Sequence, residues 1–163
     1  MALVFIIGML ILLRHSKQYT APIAVLYLLA VIYLAFLMRE PAPLYSYSLK
    51  PFAAARKGIE FGGDVITGLF SGNVKITNWG SLKGIILNIL LFVPFGVLMP
   101  MTWKRRWTWW KIMLLGLAMS FCIEVIQLIT RLGYADVDDL INNTVGAGLG
   151  YLLYKRCLTP VVN

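Results

Sequence analysis

Charge is scarce in this chain and lopsided where it occurs. Of 163 residues only 13% are Asp, Glu, Lys or Arg, with 15 basic side chains against 7 acidic ones, while 60% are hydrophobic. With a mean hydropathy of +0.78, this composition excludes an ordinary soluble domain. The two cysteines, Cys122 inside an apolar run and Cys157 after Lys155-Arg156, form neither a disulfide framework nor a metal-ligand spacing. His15 is the one histidine and lies far from every cluster of acids, and no glycine-rich phosphate loop accompanies those acids, so no cofactor is implied. Ten-residue segments of alternating polarity are missing too, which excludes a transmembrane barrel. The basic residues flank apolar runs instead of forming a basic helix or an aromatic-basic module. That is the pattern membrane insertion requires, and nucleic acid is not expected as a partner.

What the chain has is long uncharged stretches. They cover residues 1–13, 19–38, 84–103 and 112–123, the last continuing through Glu124 alone to Thr130. All but the first approach the roughly 20 residues a helix needs to cross a bilayer. The expectation is an all-α, polytopic integral membrane bundle, a single membrane domain over 1–163, with about five transmembrane helices at 2–13, 21–38, 84–101, 112–130 and 140–154. The first stretch lacks a basic region before it and an A-x-A-like cleavage site after it, so it is expected to remain as a first helix. Pro22 suits a helix first turn, and Pro94, two residues before Gly96, predicts a kink or local unwinding in helix three. Trp103, Trp107, Trp109 and Trp110 read as headgroup-level anchors. The long connection between helices two and three is partly amphipathic. Its piece KPFAAARKGIEF suits an interfacial helix starting at Pro51, whereas GGDVITGLFSGNVKITNWGS fits an interfacial segment, a shallow re-entrant one or a turn-rich cap equally well.

Short basic connections mark the cytoplasmic side. Arg14 and Lys17, then Lys104, Arg105, Arg106 and Lys111, then Lys155 and Arg156, all fall there if the N-terminus is outside and the C-terminus inside. The same arrangement gathers the polar residues at the opposite end. Glu124, Gln127 and Arg131 are spaced by three and four and share a helix face; Asn88 lies about 6 Å inside the outer end of helix three; Asp136, Asp138, Asp139, Asn142 and Asn143 form the return into helix five. A carboxylate in hydrocarbon needs a partner or water, and Arg131 at i+7 is the simplest partner for Glu124. The expected pocket comprises Asn88, Glu124, Gln127, Arg131, Asp136, Asp138, Asp139 and Asn142. The competing structural account makes these groups glue between helices, with Gly146 and Gly150 as a small-xxx-small face.

The run Asn88-Ile89-Leu90-Leu91-Phe92-Val93-Pro94-Phe95-Gly96, followed by Glu124-Val125-Ile126-Gln127, Arg131, Asp136, Asp138, Asp139, Asn142, Asn143 and Gly146, resembles the VanZ-like family of bacterial membrane proteins. Leu49-Lys50-Pro51-Phe52 resembles that family's Leu-x-Pro-Phe segment, with Ser48 where Asn is usual. The match is strongest over 84–154 and extends weakly back to about 45. The resemblance implies a multi-pass protein of the bacterial plasma membrane acting at the envelope, related to an accessory protein of teicoplanin resistance. The function expected is non-catalytic binding of an envelope lipid, a lipid-linked cell-wall precursor or an envelope protein. Arg131 could hold a phosphate or carboxylate, or the acids a cationic group. The alternatives are a membrane enzyme with Glu124 or Asp138 as general base and Asp136 with Asp139 as metal ligands, or a small transporter or flippase component.

The topology makes a direct prediction. A reporter active only outside the cytoplasm, fused after Tyr134, is expected to be active; activity solely of a cytoplasm-dependent reporter there would reverse the arrangement.

Overall fold

The computed structural model describes residues 2–38, 47–48, 50–52, 79–103, 106–133 and 135–159. Among them are five helices: α1 (Ala2–His15), α2 (Thr20–Ile32), α3 (Trp79–Thr102), α4 (Trp109–Thr130) and α5 (Val137–Cys157). A 3-10 turn at Lys17–Tyr19 leads into α2, and a π-helical turn at Tyr33–Leu37 continues it. Two short strands, β1 (Tyr47–Ser48) and β2 (Ala135–Asp136), pair in parallel with Tyr47 opposite Ala135 and Ser48 opposite Asp136.

This is the helical membrane bundle the apolar runs lead one to expect. Three segments are long and apolar enough to cross a membrane: Lys17–Leu37, Leu82–Thr102 and Trp109–Thr130, of 21, 21 and 22 residues. At 1.5 Å per residue each reaches about 30 Å, the thickness of the hydrocarbon. The helix Leu3–His15 is apolar but shorter. Helix α5 has Asp138 and Asp139 in its first turn and Lys155 and Arg156 in its last, a distribution that complements the helix dipole and lowers its hydropathy. Large apolar side chains such as Val25, Leu26, Leu29 and Ile32 on α2 stay exposed; as a lipid-facing surface they need no protein cover.

Helix α3 continues through Pro94 and Pro100, so of the kink or local unwinding expected at Pro94 the unwinding does not occur. The irregular turn is in α2, where the Met38 amide reaches back to the Tyr33 carbonyl at 3.0 Å. Nor does a helix begin at Pro51. Pro51 and Phe52 form a turn, and Phe52 has φ 61°, in the left-handed region. The rest of the expected interfacial helix, and the glycine-rich segment after it, lie outside the described residues.

The tightest packing is between α3 and α5, which run parallel. Gly146 lies against the Ile89 backbone, Gly150 against Val93, and Gly96 of α3 against Ala147 and Tyr151. Helix α4 runs the opposite way along α5, with Gly116 against the Ala147 side chain and Met113 beside Gly148. Phe92, Phe95, Val97, Ile112 and Tyr151 form the core of this triad, joined by Leu13 of α1 and Tyr27 of α2. Where lipid is as apolar as leucine, helices associate through close backbone approach of this kind.

A Cβ at Gly150 would overlap the Val93 carbonyl oxygen, whereas one at Gly84 would meet nothing within 4 Å. Gly150→Ala is therefore expected to destabilise the bundle by about 1–3 kcal/mol or more, measured by denaturant unfolding in detergent, and Gly84→Ala to leave it unchanged. Equal stability of both variants would mean that the α3–α5 contact is not close.

Candidate functional site

Helix α4 buries one stripe: Ile112, Gly116, Ser120, Glu124 and Gln127. The spacings of four, four, four and three keep these side chains on one face, and polarity rises along it toward the helix C-terminus. The partners come from the start of α5. Glu124, 6% exposed, accepts at Oε2 a hydrogen bond from the Asp136 amide at 2.8 Å. Asp136 caps α5, its Oδ1 accepting from the Asp138 amide at 3.0 Å, which satisfies one of the amides a helix start leaves open. This cap explains why α5 begins at Val137 and not at 140. Asp138 is buried and accepts from the Phe52 amide. With the β1–β2 pairing, that bond holds residues 47–48 and Phe52 at the N-terminus of α5.

One turn further into α5, Asn143 donates through Nδ2 to Ser120 Oγ at 2.9 Å. Asn88 of α3 donates to Asp139. Gln127, 1% exposed, donates through Nε2 to the Ala35 carbonyl at 2.9 Å, inside the π-helical turn. Among the described residues the Oδ1 of Asn143 and the Oε1 of Gln127 have no hydrogen-bond partner. A buried acceptor left unpaired costs about 1–3 kcal/mol, and two at neighbouring positions call for an explanation.

Both residues line a cavity of about 240 Å³ whose other described walls are Leu34 and Ala35 of the π-helical turn, Leu87, Asn88, Leu91 and Phe92 of α3, Ile123 and Glu124 of α4, and Asp139 of α5. On the far side of Glu124 is a second hollow of about 310 Å³, between α4 and α5 and edged by Tyr47 and Ser48; Phe121, Val125, Leu128, Val137 and Leu140 make it apolar. Both hollows are at one end of the bundle. At the other end Arg14, Lys17 and Arg156 surround a third.

The structure thus brings together Asn88, Glu124, Gln127 and Asp139 on one cavity, and ties Asp136 and Asp138 into the cap beside it. It leaves out Arg131 and Asn142. The expected Glu124–Arg131 ion pair does not form. Arg131 is exposed and ends α4 with φ 61°, a left-handed helix stop, and the Asp136 amide takes its place on Glu124. Asn142 is half-buried and lines neither hollow; its neighbour Asn143 is the residue that faces α4. Ser120 escaped the sequence reading, although its position four before Glu124 and seven before Gln127 marks it. Of the two aspartates considered as metal ligands, Asp136 borders the apolar hollow and Asp139 the polar one. Among the described residues no three His, Cys, Asp or Glu side chains gather as ligands.

Fold and site together define a helical membrane protein with a buried polar cavity at the end opposite its basic turn. A model of the VanZ/LLP1 family matches residues 24–159, and the chain belongs to that family. Protein VanZ of Enterococcus faecium is 37% identical over 78 residues, 48% of this chain and 48% of that protein. The matched region therefore spans about half the length of that relative. No solved structure matches.

The two roles of the α4 terminus can be separated. Glu124→Ala is expected to lower stability by about 2 kcal/mol, because the Asp136 amide loses its charged acceptor. Arg131→Gly is expected to be neutral or stabilising by up to about 1 kcal/mol, since glycine adopts positive φ without steric cost. A greater loss at 131 than at 124 in detergent unfolding would restore the ion-pair view.

Proposed function

We propose that the chain is a non-catalytic accessory protein of the bacterial plasma membrane. It is multi-pass, with its N-terminus outside and its C-terminus in the cytoplasm, and it holds the polar group of an envelope lipid or lipid-linked cell-wall precursor. The observation that carries this reading is the polar cavity's position at the opposite end from Arg14, Lys17 and Arg156. Short basic flanks stay in the cytoplasm, so the cavity opens in the outer half of the membrane. The apolar hollow across Glu124 supports an amphipathic ligand with a head in one compartment and a chain in reach of the other. The carboxylates are engaged as caps and acceptors, Glu124 by the Asp136 amide and Asp136 by the Asp138 amide, which supports retention of a ligand over turnover. Membership of the VanZ/LLP1 family, and likeness to a relative named protein VanZ, support a part in susceptibility to glycopeptides, teicoplanin in particular.

The test is expression in a teicoplanin-susceptible bacterium. The wild-type chain is expected to raise the inhibitory concentration, and Gln127→Leu and Asn143→Leu to lose that protection at equal abundance in the membrane. Protection by both variants equal to wild type, or none from the wild type, would remove the reading.

A further inference from the structure

Cations gather at the end of the bundle opposite the polar cavity. Arg14 in the last turn of α1, Lys17 in the 3-10 turn and Arg156 in the last turn of α5 line one hollow of about 380 Å³, together with Leu13, Leu158 and Thr159. A second hollow of about 450 Å³ shares Lys17, Leu158 and Thr159 with it and continues to Thr20 of α2 and Thr102 of α3. Residues far apart in the chain thus present positive charge to one space. The segments that carry them, 14–19 and 155–163, hold no aspartate or glutamate in sequence. Glu124, Asp136 and Asp139 line the hollows at the other end.

Membrane insertion accounts for basic residues beside helix ends, and the helix dipole favours one in the last turn of α1 and of α5. Neither accounts for their convergence on one hollow. Each helix C-terminus carries about half a negative charge, so the two ends offset roughly one of the three cations and leave about two. Like charges around one space repel, and an anion placed among them relieves the repulsion. The depth of the hollow identifies that anion. Lys17 begins one membrane-length segment and Thr102 ends another, while Tyr19 and Trp103 are exposed beside them, which sets the hollow at the level of lipid headgroups. Ile11, three residues before Arg14 and on the same face of α1, is exposed as well and offers apolar surface on the hydrocarbon side.

We infer that this hollow binds the phosphate of an anionic membrane phospholipid, held by Arg14, Lys17 and Arg156, with the lipid chains running along α1 past Ile11. Guanidinium groups match phosphate oxygens through paired N–H bonds, and basic pockets between membrane helices hold anionic headgroups in this way. A zwitterionic lipid has the same phosphate but brings a cation of its own into a positive site, so a headgroup of net negative charge is preferred. The site is separate from the polar cavity and stands whatever that cavity holds and whichever face of the membrane this end occupies. The experiment uses the full chain in nanodiscs of equal amounts of phosphatidylglycerol and phosphatidylcholine with identical chains, and counts the lipids retained on the protein by native mass spectrometry. Wild type is expected to retain phosphatidylglycerol over phosphatidylcholine by about tenfold or more. Arg14→Gln, Lys17→Gln and Arg156→Gln should each lower the preference by about three- to fivefold. All three side chains are exposed, so these variants leave the core packing intact.

Lys155 separates a site from diffuse charge. It is exposed, adjoins Arg156 in sequence and is not among the residues lining the hollow, so Lys155→Gln removes the same charge at the same end and is expected to keep the preference within about twofold. An equal loss from Lys155→Gln and Arg156→Gln would assign the effect to the overall charge of this end and overturn the inference, as would equal retention of the two lipids by the wild type. Glycerol phosphate, added in excess as the soluble source of the same anion, is expected to leave the bound lipid in place. Its displacement of phosphatidylglycerol would assign the hollow to a soluble phosphate and overturn the lipid assignment.

Discussion

The contact between the backbones of α3 and α5 is the constraint on which the other positions depend. Gly96, Gly146 and Gly150 let two parallel helices meet without side chains between them. In a bilayer no hydrophobic force separates a packed helix from a lipid-clad one, so proximity must come from fit. Once α5 is seated, its first turn lies beside Asn88 of α3 and its capping residue beside Glu124 of α4. The polar cavity is then a consequence of the register. Moving α5 by one turn, about 5.4 Å, would put Asn143 out of reach of Ser120 and leave the cap without its glutamate.

The second organising element is the use of acidic side chains as structural acceptors. Glu124, Asp136 and Asp138 each take a backbone amide, from Asp136, Asp138 and Phe52 in turn. The chain so formed fastens the end of α4, the start of α5 and Phe52. Acids near a helix N-terminus are also favoured by its dipole. That gives three carboxylates at this depth a physical reason to be there.

The sequence revealed the helices well because uncharged runs of about 20 residues have one common solution in lipid. It revealed the clustering of polar residues because basic flanks fix which helix ends coincide. It failed where a choice depends on neighbours in three dimensions. Charge and helical spacing pair Arg131 with Glu124, yet Arg131 stops the helix in a left-handed turn. Asn142 and Asn143 are adjacent in sequence but point about 100° apart on a helix, and only the position of α4 decides which one is used. Pro94 carries a local signal for a kink or unwinding, and α3 stays helical through it, while the π-helical turn after α2 lies in YLAFL, which carries no such signal.

That turn gives the end of α2 a different winding from its beginning. Five residues close the loop from Tyr33 to Met38 where an ordinary helix would use four. One amino acid is in effect accommodated as a blister, and the faces before and after it are out of phase. A relative lacking a single residue here would keep the same transmembrane stretch as an unblistered helix, yet turn the Ala35 carbonyl away from Gln127 and free that amide's other half. The wall that α2 gives the cavity would then be reshaped by a one-codon length change remote from the acidic turn.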